Sequence, residues 1–92
     1  MILKFSVLIS VYCKENPTFF NRAMLSIWDD QIVKPNEIVL VKDGSLSADL
    51  NKCIQYWETK LCDILVVVSL PDNVGLGAAL NIGLKECFYM II

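Results

Sequence analysis

The apolar positions of this chain follow two alternating rhythms. Residues 5–12 are an apolar run interrupted only by Ser6 and Ser10, the pattern of a strand covered on both faces. Residues 37–42 and 64–69 repeat it, the second around the valines at 66, 67 and 68. Between these runs the spacing changes to three and four residues. Phe20, Met24, Ile27 and Gln31, with Ala23 and Trp28 beside them, predict one apolar helix face. Leu50, Cys53, Ile54, Trp57 and Leu61 predict a second, and Ala79, Leu80, Gly83, Leu84 and Cys87 a third within residues 76–86. Residues 88–92 read as a fourth strand.

The boundaries carry their own signals. Asn16 ahead of Pro17 is a helix start, a capping side chain followed by a ring that presets the first helical torsion. Lys34, Pro35 and Asn36 end that helix. Asp43-Gly44-Ser45 turns out of the second strand, and Ser45 or Ser47 can cap the second helix. Residues 71–75 form a loop before the third. The order β-α-β-α-β-α-β predicts right-handed crossovers and a parallel, Rossmann-like α/β sheet.

Length and composition narrow the picture. Ninety-two residues make one small domain, residues 1–92. The chain is 55% hydrophobic, against roughly 45–50% for globular proteins. Strands buried on both faces explain that excess, as does a core shared with further chain or with a partner. The formal charge is −2 and no basic run occurs, so nucleic acid is excluded as a partner. There is no histidine, which removes Ser-His-Asp, Cys-His and H-E-x-x-H chemistry. Four cysteines without a C-x-x-C pair read as buried, reduced thiols of a cytoplasmic protein. The amino-terminal apolar stretch lacks a small-residue cleavage site and reads as a strand, not as a leader.

Two segments could carry chemistry. Asp43, Gly44 and Ser45 stand at the carboxyl end of a strand, where open α/β sheets bind ligands; the same tripeptide also serves as a plain turn into the next helix. The segment Asn73-Val74-Gly75-Leu76-Gly77 fails as a dinucleotide fingerprint, because the third glycine position holds Leu80. It reads either as a helix start whose free N–H groups face a diphosphate or as a close-packed helix start in which the glycines relieve crowding.

Ser6 to Tyr12, Ser26-Ile27-Trp28 with Gln31, Pro35 to Val41, Asp43-Gly44-Ser45, and Asn73-x-Gly75 with Asn81 to Leu84 together resemble the family-2 glycosyltransferases. These are inverting enzymes of the GT-A fold, and the nearest subgroup builds bacterial surface polysaccharides such as O-antigen or capsule. The resemblance implies that the chain is the amino-terminal, nucleotide-binding half of such a domain. Tyr12 and Glu15 would lie beside base and ribose, and Asp43 would accept a hydrogen bond from the uracil N3–H. Gly44, Ser45, Asn73 and Gly75 would complete the nucleotide site. A nucleotide-diphosphate sugar, with UDP favoured, is the implied donor, and a glycan or lipid-linked molecule the acceptor. The implied place of work is the cytoplasm, up to the inner face of the membrane.

The chain departs from the family pattern in two places. Many members carry a lysine or arginine beside the diphosphate; this chain has Leu76, Ala78 and Leu80 there, with Lys85 the nearest cation. The family's Asp-x-Asp motif, which holds Mg²⁺ or Mn²⁺, is expected just after the fourth strand, where the chain ends. No catalytic residue and no metal ligand is therefore assigned, and Asp29-Asp30 reads as a solvated face. The 92 residues alone are expected to be inactive in transfer and to self-associate through an uncovered sheet edge. The competing readings are a non-catalytic remnant and a small α/β nucleotide-binding module.

Overall fold

A computed structural model describes residues 4–91; the expected end of the fourth strand at Ile92 lies outside the described residues. The order is β1 (Phe5–Val11), α1 (Pro17–Ile27), β2 (Glu37–Asp43), α2 (Ala48–Lys60), β3 (Leu65–Leu70), α3 (Leu76–Glu86) and β4 (Met90–Ile91). The strands form a parallel sheet in the order β3-β2-β1-β4. The Rossmann-like α/β reading therefore holds, with β2 pairing Val39 to Leu8 of β1 and Leu40 to Val67 of β3.

Strand pleating divides β2 between two cores, because successive side chains point to opposite faces. Ile38 and Leu40 join Phe20 and Met24 of α1 and Leu50, Ile54 and Trp57 of α2 in one cluster. Val39 and Val41 join Ala79 of α3 in the other, with Leu8 and Val68 against it. So α1 and α2 cover one face, and α3 covers the other. Ile38, Val39, Leu40 and Val41 are all fully buried. The close approach of α3 requires Gly83: a Cβ there would lie 2.5 Å from Val41 Cγ2 and 2.6 Å from Leu8 Cδ1.

The helix starts form as the sequence predicts. Asn16 is extended, and its Oδ1 accepts from the Thr18 N–H at 2.8 Å and from the Phe19 N–H at 3.3 Å, with Pro17 in the first helical turn. Ser47, not Ser45, caps α2, its Oγ accepting from the Leu50 N–H at 3.2 Å. The two helices are tied by the Trp57 indole N–H, which donates to Asn21 Oδ1 at 2.9 Å. Lys60 pairs with Asp29 at 3.1 Å on the exposed rim.

Several sequence expectations shift. Helix α1 ends at Ile27, so Gln31 is exposed instead of inward, and Ala23 is exposed because Phe20 and Met24 set the buried face. Lys34 donates to the Trp28 and Gln31 carbonyls there, closing the helix end. Leu84 is exposed, because Ala79 and Gly83 define the buried stripe of α3. Phe88 precedes β4 instead of opening it and is 82% exposed. The cysteines are free but none is buried: Cys13 and Cys62 are exposed, while Cys53, within α2, and Cys87, just after α3, are half-buried. Among the described residues no helix is long and apolar enough to cross a membrane.

Candidate functional site

The chain runs β1, β2, β3 toward one edge of the sheet and then crosses back over α3 to place β4 beyond β1. The carboxyl ends of the strands are the place where such sheets bind ligands. A cleft of about 420 Å³ lies there, lined by Ser10, Tyr12, Glu15, Asp43, Asn73, Gly75 and Leu76. The size suits a small-molecule site.

Each wall comes from a different part of the chain. Ser10 is near the end of β1, and Tyr12 follows it, 44% exposed. A turn in which the Glu15 N–H donates to the Tyr12 carbonyl at 3.0 Å brings Glu15 back over the strand end. Asp43 is the last residue of β2. Asn73 and Gly75 arrive from the loop after β3, and Leu76 is the first residue of α3.

Asp43 is only 3% exposed, and its partners lie more than thirty residues away. Its Oδ1 accepts from the Val74 N–H at 2.7 Å and its Oδ2 from the Gly75 N–H at 3.0 Å. Asn73 Nδ2 donates to the Asp43 carbonyl at 3.3 Å. The next residue, Gly44, has a φ of +89°, and a Cβ there would come within 2.9 Å of the Asn73 nitrogen. A glycine is the residue that meets both demands. Gly75, at φ +90°, stands at the N-cap position of α3 and supplies no side-chain cap. The first turn of α3 thus presents uncapped backbone donors at the helix's positive end, beside the cleft.

Of the residues singled out from the sequence, Tyr12, Glu15, Asp43, Asn73 and Gly75 converge on one cleft. Gly44 is buried and does not line it, bordering instead the same separate hollow as Ser45. Ser45 is exposed and borders a separate hollow of about 270 Å³ with Lys42, Leu46, Asn51, Ser69 and Pro71. Sequence reasoning missed Ser10 and Leu76. A serine in an otherwise apolar strand was a usable signal for Ser10; nothing distinguished Leu76. Among the described residues no cation lines the cleft, and its carboxylates are Glu15 and Asp43. Among the described residues no group of three or more Cys, Asp or Glu side chains could hold a metal ion. The cleft can hold a polar ligand with an aromatic portion: a ring face and hydroxyl at Tyr12, an acceptor at Glu15, a hydroxyl at Ser10 and helix N–H groups at its far side.

The family model for Glycosyl transferase family 2 matches residues 6–92. A UDP-Gal:alpha-D-GlcNAc-diphosphoundecaprenol beta-1,3-galactosyltransferase of Escherichia coli is 37% identical over 97% of this chain and 31% of its own length. An uncharacterized glycosyltransferase of Haemophilus influenzae is 48% identical over 95% of this chain and 32% of its own length. The amylovoran biosynthesis glycosyltransferase AmsE of Erwinia amylovora is 42% identical over 96% and 32%, respectively. The chain therefore spans about a third of the length of the curated relatives it matches. With the family model covering nearly all of its residues, the chain belongs to glycosyl transferase family 2.

Proposed function

We propose that the cleft binds the nucleotide of a nucleotide-diphosphate sugar, and that the chain is the nucleotide-sugar-binding part of a GT-A glycosyltransferase. The sugar passes to a glycan or lipid-linked acceptor in the assembly of a bacterial surface polysaccharide, O-antigen and capsule being the leading kinds. The observation that carries this reading is the convergence of Tyr12, Glu15, Asp43, Asn73 and Gly75 at the carboxyl ends of β1 and β2, beside the start of α3. Tyr12 stacks on or borders the base, and Glu15 accepts from the ribose hydroxyls. The uncapped start of α3 faces the diphosphate, where backbone N–H groups and the helix dipole favour negative charge. UDP is the favoured nucleotide, supported by the UDP-Gal donor in the name of the Escherichia coli relative. That relative's diphosphoundecaprenol acceptor supports work at the inner face of the membrane.

Among the described residues no three acidic or thiol side chains gather as a ligand set, and Mg²⁺ or Mn²⁺ would be held in the complete enzyme by groups outside this chain. These residues are read as binding and orienting the donor, with the base that deprotonates the acceptor hydroxyl supplied elsewhere, so the 92 residues alone are expected to transfer no sugar. Calorimetric titration with UDP, CDP, GDP and ADP tests the reading. UDP is expected to bind most tightly; no binding of any nucleotide at millimolar concentration would overturn it.

A further inference from the structure

Two large apolar side chains line the cleft, Tyr12 at 44% exposed and Leu76 at 66%. They come from different elements, Tyr12 from just past the end of β1 and Leu76 from the first position of α3. The Asp43 carboxylate lies beside Leu76, since its Oδ2 accepts the N–H of the preceding residue, Gly75, at 3.0 Å. The residues flanking Leu76 carry no side chains, and a Cβ at Gly75 or at Gly77 would meet nothing within 4 Å. Neither glycine relieves crowding, so the space around Leu76 stays open toward the cleft. A single exposed leucine is ordinary on a protein surface, and Leu84 on the same helix is one, at 51% exposed. Leu76 differs because it shares a cleft with an aromatic ring and with the acceptors of Glu15 and Asp43. A nucleobase has that same division, two apolar faces bounded by a polar edge, and covering an exposed leucine is favourable in proportion to the apolar area removed from water.

We infer that Leu76 is a ligand-contact residue, the aliphatic wall that covers one face of the base while Tyr12 covers the other. The Asp43 carboxylate beside it serves the polar edge of the base, and Ser10 and Glu15 serve the ribose. This rests on the nucleotide reading of the cleft and adds to it a residue whose contribution is apolar contact alone.

The test is calorimetric titration of UDP, and of uridine, which lacks the diphosphate, into the chain and into Leu76→Ala, Leu76→Met and Leu84→Ala. Leu76 is largely exposed and alanine is the better helix former, so the fold is expected to survive, with thermal unfolding of each variant as the check. Leu76→Ala is expected to weaken UDP and uridine alike, by about 3- to 20-fold. Leu76→Met keeps the apolar volume and Leu84→Ala lies away from the cleft, so both are expected to stay within about twofold of the unaltered chain. UDP affinity unchanged in Leu76→Ala overturns the inference while the nucleotide reading stands. A loss for UDP that uridine does not share also overturns it, because the contact would then be with the diphosphate and not the base. If the unaltered chain binds neither ligand, the nucleotide reading and this inference fall together.

Discussion

Ser6 of β1 donates its hydroxyl to Glu37 Oε1 of β2 at 2.7 Å, and this pair sets where β4 begins. Glu37 Oε1 also accepts the Phe88 N–H at 2.8 Å, and Ser6 Oγ accepts the Tyr89 N–H at 3.1 Å. Two side chains thus satisfy consecutive backbone donors that have left α3 and not yet joined the sheet. Ser6 is fully buried, so removing its hydroxyl strands a donor and an acceptor site in the interior. Ser6→Ala is expected to cost about 1–3 kcal/mol in urea unfolding. Glu37→Gln keeps an acceptor oxygen and is expected to cost less; equal costs would contradict the account.

The glycines of α3 should separate in the same assay. Gly83→Ala forces a Cβ against Val41 and Leu8, and such overpacking costs about 1–3 kcal/mol, more than the roughly 1 kcal/mol that alanine returns as a helix former. A Cβ at Gly77 meets nothing within 4 Å. Gly77→Ala is therefore expected to be neutral or stabilising by up to about 1 kcal/mol. Thermal unfolding of the two variants checks the order.

The thiols should divide by exposure. Cys13 and Cys62 are exposed and are expected to react first with an alkylating reagent at neutral pH. Burial, and then the Glu37 carboxylate, push the Cys87 thiol above its ordinary value, so its reaction should need a higher pH. The sign for stability follows. The folded chain keeps this proton longer than the unfolded one, so the contribution is full below the unfolded thiol pKa and is lost as pH rises through the folded value. Cys87→Ser should flatten that alkaline decline, which unfolding curves across the thiol range would register.

Local signals in the sequence were reliable where the physics is local. Asn16 ahead of Pro17 formed the start it predicts, and the spacing of Leu50, Ile54, Trp57 and Leu61 gave the buried face of α2. What the pattern could not contain was set by distant partners. Asp43 was legible as a polar residue at a strand end, but its bonds to Val74 and Gly75 depend on the packing of α3 against β1 and β2. Ser6 and Glu37 looked like ordinary strand residues until β4 came beside β1. The apolar spacing points Leu84 inward because α3 has apolar residues on more than one face, and the close contact at Gly83 decides which face is buried.

The exposed sheet edges give a prediction about association. Strands β3 and β4 are the outer strands of the described sheet, and Val66 and Phe88 are exposed near them. Unpaired edges with apolar neighbours invite pairing with a second copy. Sedimentation is expected to detect self-association that rises with concentration, and a monomer throughout would contradict it.

Tyr12 should carry base contact if the cleft is a nucleotide site. Stacking on an aromatic ring is worth about 1–3 kcal/mol per base, so Tyr12→Ala is expected to weaken UDP binding roughly 5- to 150-fold without loss of fold. Circular dichroism alongside calorimetry separates the two effects.

The most direct test of the account is a ¹⁵N correlation spectrum of the chain titrated with UDP. Shifts are predicted to concentrate at Ser10, Tyr12, Glu15, Asn73, Gly75 and Leu76, the residues around the cleft at the carboxyl ends of β1 and β2. Saturable shifts confined to the α1–α2 face, or none at all, would contradict it.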